Sequence, residues 1–536
     1  MRSIFARLHR RYGRKITGAE REAFVRAKMR EQPQPPRVAE RRAAFALDEK
    51  SRPKVAIIGG GFAGLMAGYS LVGPCDVTVF EARRRVGGRV WSKTKPSGVI
   101  EAGGELIGYN HPQWLGLAKT FELGLSVNTS DTNYDALTLE MPLFVDGRRL
   151  SPAKMEKIYD EMKTIFDEMS KQAVKVEKIK PHRPWLAKNA KKLDMMPLSD
   201  WIASRRCSKL TRLAMEEQFA NDAGVPTDRQ SYLANLAVVA GGVLGDQINA
   251  FFTQTEGLRC SEGNDALAER LSAEIDKAGG TICKCSPVHA VRIDEDGVKL
   301  DYRCGRAAID PERECTFSEH DLAQTHVADY VVLAIPPSLW PAASHPQIAI
   351  TPALPTDHYI SMGKSVKYLS QLKHRFWIGE GLAPSATSNQ FGVTWEGTDN
   401  QIAPPGRNVA LNLFAGGPVA QNALEELQRG GKPAVDHFYS ERIGAVYQNY
   451  ASNLSDDPEF MAWPEDPWTR AGYSCPAPGE VTRAGPLLEK AFQKRMFFAG
   501  EHTCFAYFGY MEGALQSGKR AASAILAAIA QQQRGR

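Results

Sequence analysis

No apolar run in the 536 residues reaches the length of a membrane span. A basic body is missing as well. The net charge is +6, but residues 1–50 alone hold fourteen Lys/Arg against six Asp/Glu, so the remaining residues carry −2. A body of that charge offers no electrostatic footprint for nucleic acid. The nine cysteines have no metal-ligand spacing, and no metal is expected. Cys283-Lys284-Cys285 is too tight for a zinc site, and both thiols read as free, a usage that suits a reducing, cytoplasmic compartment. The Arg10-Arg11 pair lacks the apolar stretch of an export signal. The six basic residues and no acid between Arg2 and Lys15 are also the composition of an organellar transit peptide.

Residues 1–51 read as an appended basic arm. Thr17 is placed to cap a helix, with Glu20 completing a capping box and Phe24 and Val25 on the apolar side. The proline-rich stretch 32–36 ends it, and a second short helix is expected over Val38 to Leu47. Such an arm is expected to pack on the body or on a second subunit of a homo-oligomer.

The most informative stretch is Lys54 to Glu81. Val55, Ala56, Ile57 and Ile58 form a short apolar run, the pattern of a buried parallel strand. Gly59-Gly60-Gly61-Phe62-Ala63-Gly64 follows and fits G-x-G-x-x-G. A helix is expected over about Leu65 to Val72, then a second strand, Val77 to Phe80, ending on Glu81. In this arrangement Gly59 permits the tight turn, Gly61 the approach of a pyrophosphate, and Gly64 close helix–strand contact. The helix N-terminus offers free N–H groups to phosphate, and Glu81 stands at the spacing of a ribose-binding acid. Next come Ala82, Arg83, Arg84, Arg85, Val86, Gly87, Gly88 and Arg89, where two glycines open a path and Arg89 supplies a cation for phosphate charge.

This continuation, E-A-x-x-x-x-G-G-R, resembles the FAD-binding half of the flavin amine oxidase superfamily residue for residue. Three later blocks resemble the same family. Gly98 to Gly108 carries an acid–x–Gly–Gly turn whose Gly103, Gly104, Glu105 and Leu106 the resemblance places beneath the flavin. Val288 falls where relatives contact the adenine. Met496 to Thr503, then Gly509-Tyr510-Met511 and Ala514, match the C-terminal signature, in which Gly500 and Glu501 meet the phosphate–ribityl region and Tyr510 and Met511 the flavin ring. Non-covalent FAD is implied, because Gly472 stands where covalent relatives have cysteine before the tyrosine.

The expected fold is α/β: a Rossmann-like FAD-binding domain of the glutathione-reductase type, interleaved with an α+β substrate domain and a helical insertion. The expected boundaries are 52–125, 256–336 and 480–530 for the FAD domain and 126–151 with 337–479 for the substrate domain. The insertion takes 152–255 and, in relatives, walls the substrate funnel. Its stripe Met155, Ile158, Met162, Ile165, Phe166, Met169 reads as core. Asp146-Gly147 signals a hairpin.

The resemblance implies an enzyme that removes a hydride from the carbon bearing nitrogen, giving an imine, with oxygen as acceptor and peroxide as product. Tyr473 and Tyr510 fall on the positions of paired aromatic rings that confine the amine. Many relatives place a lysine before a Pro-x-Leu-Pro segment; aligned on Pro352 to Pro355 that position is Ala349, and Lys367 is the substitute expected. An arginine that holds the substrate carboxylate in L-amino-acid oxidases aligns with Ile107. Trp395, Glu396 and Trp468 are the expected substrate contacts, with Glu396 meeting a cationic side chain. The expectation is an L-amino-acid oxidase; the alternatives are a monoamine or polyamine oxidase and, more remotely, a carotenoid-type desaturase or a non-catalytic flavoprotein.

Overall fold

Val55 to Ile58 are all buried, and their strand, Lys54–Ile58, lies at the centre of a five-stranded sheet. A computed structural model describes residues 3–13, 23, 26–27, 52–127, 139–305, 315, 323–344, 346–398 and 407–534. Of the helix expected from Thr17 only residues 23, 26 and 27 are described, all helical, and the helix expected over Val38 to Leu47 lies outside the described residues. The sheet runs Met496–Phe498, Tyr330–Leu333, Lys54–Ile58, Asp76–Phe80, Thr281–Cys283, with every neighbouring pair parallel. A parallel sheet must be covered on both faces. The helix Phe62–Leu71 is therefore apolar all round. One stripe (Ala63, Ala67, Leu71) packs on Ala521, Ala522 and Ile525 of the C-terminal helix Met511–Arg534. The other (Phe62, Leu65, Met66, Tyr69) packs on Leu267, Leu271 and Ile275. Gly64 permits the strand–helix turn, since a side chain there would start 1.9 Å from the Gly59 carbonyl oxygen.

A second sheet, ordered Ala323–Ala328, Val298–Arg303, Val288–Ile293, Ala349–Thr351, is antiparallel except for its last, parallel pair. The strand Ala349–Thr351, assigned from sequence to the substrate segment, is thus hydrogen-bonded to the strand that carries Val288. The third sheet is wholly antiparallel: Thr387–Ser388, Gly392–Glu396, Val409–Gly416, Ser365–Leu372, Glu459–Ala462. Every residue of Ser365–Leu372 is buried. Val366, Tyr368 and Leu372 face a core built with the helical segment Gly417–Gly444, which breaks at Gly430 and Gly431. The alternate residues Ser365 and Lys367 face a cavity. The helix expected over Pro433 to Tyr450 is the second half of that segment.

In the insertion, Met155, Ile158, Met162, Ile165, Phe166 and Met169 are buried on one face of Pro152–Lys171, as their spacing predicts. The Asp146-Gly147 hairpin joins Phe144–Val145 to Arg148–Arg149. One expectation is corrected: Cys285 is bonded to Cys315, thirty residues on, and only Cys283 of the pair is free. Sequence spacing carried no sign of it, because the partner lies beyond the hairpin Val288–Arg303. The cysteines thus no longer argue for a reducing compartment.

The basic arm holds the second surprise. Residues Ile4–Tyr12 form a helix capped by the Ser3 hydroxyl, and Phe5, Arg7 and Leu8 are buried in the body. Phe5 packs edge-on against Phe166 at 4.9 Å, and its N–H donates to Gln218 Oε1 at 2.8 Å. Arg7, 2 % exposed, donates to the carbonyls of Ala386 (2.7 Å) and Thr394 (2.8 Å) and to the Thr387 hydroxyl (2.6 Å). The helix thus staples the insertion to the third sheet. Arg7→Ala removes three buried charge-assisted hydrogen bonds at once, and about 3 kcal/mol of stability is expected to be lost. Chemical denaturation of the holoprotein measures it; a loss below about 0.5 kcal/mol would mean that the staple carries no load.

Candidate active site

The strand ends, the second sheet, the insertion and the third sheet enclose a cavity of about 380 Å³. Of the residues expected to hold a dinucleotide, Gly59, Gly61, Phe62, Ala63, Glu81, Ala82, Arg83, Gly87, Gly88 and Arg89 line it. So do Gly103, Gly104, Glu105, Leu106, Val288, Gly500, Glu501, Gly509, Tyr510, Met511 and Ala514. Gly64 alone does not, because it is spent on the helix–strand contact.

Elementary geometry supports a phosphate cradle. A first side-chain carbon at Gly61 would find no atom nearer than the Gly87 carbonyl oxygen and Gly88 Cα, both 3.9 Å away. That open space lies at the N-terminus of Phe62–Leu71, whose free N–H groups favour an anion. Glu81 accepts from the N–H groups of Gly60 (2.7 Å) and Arg83 (2.8 Å), which closes the second loop onto the first. Arg83 is ion-paired with Asp466 and donates to the Thr469 hydroxyl at 3.0 Å.

Two buried carboxylates organise the rest. Glu501 receives Arg89 at 2.9 Å, the Ser474 hydroxyl, and the N–H groups of Ser474 (3.1 Å) and Gly509 (2.7 Å). Arg89 also donates to the Gly472 carbonyl at 2.9 Å. Glu105 receives Lys367, Trp395 Nε1 and Arg259, each at 2.8 Å. Lys367 donates further to the Glu101 carbonyl at 2.8 Å.

Tyr473 and Tyr510 both line the cavity, as does Trp468. The Tyr473 hydroxyl donates to the Asp222 carbonyl at 2.8 Å, and its ring lies against Gly509, the residue before Tyr510. Tyr510 meets His111 edge-on at 5.5 Å. Burial holds His111 neutral, with its pKa lowered to about 3, so Nδ1 can accept from the Gly108 N–H at 2.9 Å. Burial, and then the charges of Asp222 and Glu256, push both tyrosines well above the ordinary phenol value, so both remain neutral.

The strand pleat corrects one expected contact. On Gly392–Glu396, Val393 and Trp395 face the cavity, and Glu396 points the other way, where Arg375 clamps its carboxylate at 2.6–3.0 Å. Adjacent strand residues cannot share one pocket. Ala349 is exposed rather than in the cavity; from that segment Gln347 and Ile348 line it. Ile107 is fully buried and outside the lining. Sequence reading missed Asp222, on the insertion, and Glu256, the first residue after it, two acids that line the cavity. Asp222 continues the stripe Thr211, Met215, Gln218 on Lys209–Ala223, a signal that i, i+4 spacing could have supplied. Asp222 is exposed in the lining of the open cavity; the protein packed around it and then Glu256 push its carboxyl above its ordinary value, with an Asn221 hydrogen bond and Arg7 opposing them.

A family model described as flavin containing amine oxidoreductase matches residues 62–526. A flavin-containing amine oxidase of Danio rerio is 24 % identical over 492 residues, covering 89 % of this chain and 86 % of that protein. Amine oxidase B of Rattus norvegicus is 26 % identical over 504 residues, with 89 % and 86 % covered. Among solved structures, cyclohexylamine oxidase from Brevibacterium oxydans is similar with a TM-score of 0.69 at 22 % identity, covering 89 % of this chain and 99 % of that one. Wild-type putrescine oxidase bound to putrescine matches with a TM-score of 0.69, 21 % identity and the same coverage. These likenesses bear out the Rossmann-like fold.

Burial opposes ionisation of Glu501, but Arg89, His502 and the hydrogen bonds of Ser474 and Gly509 together hold its pKa below the usual carboxylate value. Stability from such a group is complete above the unfolded pKa, about 4.3, and is lost as pH falls through the lower folded value. Glu501→Gln, which strands Arg89, is expected to cost about 3 kcal/mol at neutral pH. The gap to wild type should close below about pH 4. Unfolding curves across that range measure it, and a gap that widens on acidification would have the wrong sign for this assignment.

Proposed function

Because this chain belongs to the flavin-containing amine oxidoreductase family, we propose that it oxidises a primary amine that is cationic in solution, rather than an α-amino acid. The observation that carries this reading is the balance of charge in the cavity. Among the described residues the lining cations are Arg83, Arg89 and Lys367, and each is ion-paired, with Asp466, Glu501 and Glu105 respectively. A substrate carboxylate would have to compete with those pairs, and the lining also carries the acids Asp222 and Glu256, which add negative charge to the cavity. The names of the relatives favour the same side of the choice.

FAD is the cofactor of the family, and when bound it accepts the two electrons of amine oxidation and hands them to oxygen. Gly61, Glu81, Val288 and Glu501 are the residues proposed to hold it, through backbone and hydrogen bonds rather than a covalent link. Gly472 precedes Tyr473, and no cysteine lines the cavity among the described residues. Tyr473 and Tyr510 confine the amine by their faces. Their pKa values keep both hydroxyls protonated, so neither ring adds charge beside the reacting nitrogen. Lys367 is a positioning residue: its charge fixes Glu105, and Glu105 fixes the Trp395 ring that walls the site. Paired tyrosines at an acid-lined cavity do not suit the apolar substrate of a desaturase.

Anaerobic mixing with a panel of primary amines and L-amino acids tests the reading through bleaching of the flavin. Amines should reduce it and amino acids should not; reduction by neutral amino acids alone would overturn the proposal. Tyr510→Ala is expected to retain flavin but slow the bleaching by at least about tenfold, or about 1.4 kcal/mol of barrier. An unchanged rate would remove Tyr510 from the substrate side. Acid precipitation should release the flavin into solution, and flavin that stays with the polypeptide would refute the non-covalent assignment.

A further inference from the structure

Away from the aromatic cavity, a second cavity of about 460 Å³ opens between the insertion, the helix Glu480–Leu488 and the C-terminal helix Met511–Arg534. We propose that it is a binding site for a small, doubly charged oxyanion, a phosphate group or a dicarboxylate. Three cations line it, Arg183, Lys519 and Arg520, against one carboxylate, Glu489. Arg183 is ion-paired with Glu489, so Lys519 and Arg520 remain as uncompensated positive charge. Lys519 is exposed, and its ammonium meets a neutral amide oxygen, Gln113 Oε1, at 3.4 Å. Arg520 donates to the Thr503 carbonyl, to the Thr503 hydroxyl at 2.7 Å and to the Phe498 carbonyl at 3.3 Å. None of these acceptors is charged, and a guanidinium carries more N–H donors than the three of them use.

The remaining lining does not cancel that charge. Burial pushes the Cys504 thiol up to about 12, so it stays neutral. The protein packed around His182, and then Arg520, hold the imidazole below its ordinary value. One wall is closely built: Trp185 lies against Gly485, where a first side-chain carbon would start 2.3 Å from the ring. The same ring meets Phe505 edge-on at 5.6 Å. The approach carries charge of the same sign. Residues 171–195, which supply His182, Arg183 and Trp185, hold eight Lys/Arg against two Asp/Glu, and one of those acids, Asp194, is buried. The chain beyond its basic arm carries −2 overall, so this concentration of cations is local. Such a surface gathers anions from solution, and Lys519 and Arg520 can then give an oxyanion charge-assisted hydrogen bonds. A cation is repelled here, which separates this cavity from the one lined by the tyrosines. Arg520 also fastens Thr503, in the turn Glu501–Thr503 that carries the Glu501 carboxylate. Occupancy is therefore expected to stabilise the holoprotein.

Calorimetric titration of the flavin-loaded protein with inorganic phosphate and with succinate tests the site, since bound flavin nucleotide keeps both probes out of the glycine cradle. At low ionic strength at least one of the two is expected to bind with a Kd of about 1 mM or tighter. Acetate, with a single charge, should bind at least about tenfold more weakly. Lys519→Glu is expected to weaken the dianion by at least about tenfold, and Ser523→Glu, which adds a carboxylate to the lining, to do the same. Lys192→Glu makes the same change of charge in the basic stretch but outside the lining, and should move Kd by less than about twofold. Flavin content and the unfolding midpoint verify that each variant is folded, and either lining variant suffices if the other is not. Three results would each overturn the assignment: no saturable binding of either dianion, acetate binding as tightly, or Lys192→Glu losing as much affinity as the lining variants.

Discussion

The carboxylate of Glu501 is the point on which the site depends. It accepts from Arg89, Ser474 and Gly509, so it joins the second nucleotide loop, the block carrying Tyr473 and the start of the C-terminal helix. The nucleotide loop lies about four hundred residues before the other two segments, and the three share no strand pairing at this place among the described residues. An ionised carboxylate buried in protein is tolerable only when its lone pairs are filled. Filling them requires all three segments at once. The same hydrogen bonds set Gly509 against the Tyr473 ring, so the charge pair also determines the spacing of the two tyrosines.

Glu105 plays the corresponding part where the third sheet meets the nucleotide unit. Lys367 and Trp395 reach it from two strands, and Arg259 from the strand Leu258–Cys260. The pleat dictates which side chains can do so. Lys367 and Trp395 occupy cavity-facing positions, and their neighbours Val366, Tyr368 and Glu396 face away. The sheet thus contributes few residues to the site, and those few are held by a carboxylate from another segment.

Local chemistry made the nucleotide unit legible. Strand, glycine turn, helix and Glu81 follow one another within thirty residues, and each needs only its neighbours to be recognised. The C-terminal block with Glu501 and Tyr510 was legible for the same reason. What escaped depended on pairing at a distance. Glu396 was read as a substrate contact because it follows Trp395; only the partner Arg375, and the register that turns it outward, reveal the opposite. The basic arm was expected to pack on the body or on a second subunit, but nothing local marked Arg7 as its buried anchor, whose three acceptors come from residues 386–394. Cys285 found Cys315 across a long insertion whose composition carried no sign of a bridge. Asp222 was within reach of sequence reasoning, since it extends a buried helical stripe with an acid.

Charge placement connects these features to the choice of substrate. The part of the cavity that the nucleotide loops build carries Arg83 and Arg89, whereas the insertion contributes Asp222, with Glu256 next after it, and no cation among the described lining residues. On the proposed reading, an anionic cofactor and a cationic substrate would meet different parts of the lining that also carries Tyr473 and Tyr510. The N-terminal helix keeps this division in place. Phe5 and Arg7 fasten the insertion to the third sheet, so the acids cannot drift from the aromatic rings without breaking buried hydrogen bonds. The neutral phenols complete the arrangement, since an ionised tyrosine would add a negative charge at the ring. The proposed preference for an amine rests on that distribution of charge, and it is built by segments that the flavin-binding motifs alone would not disclose.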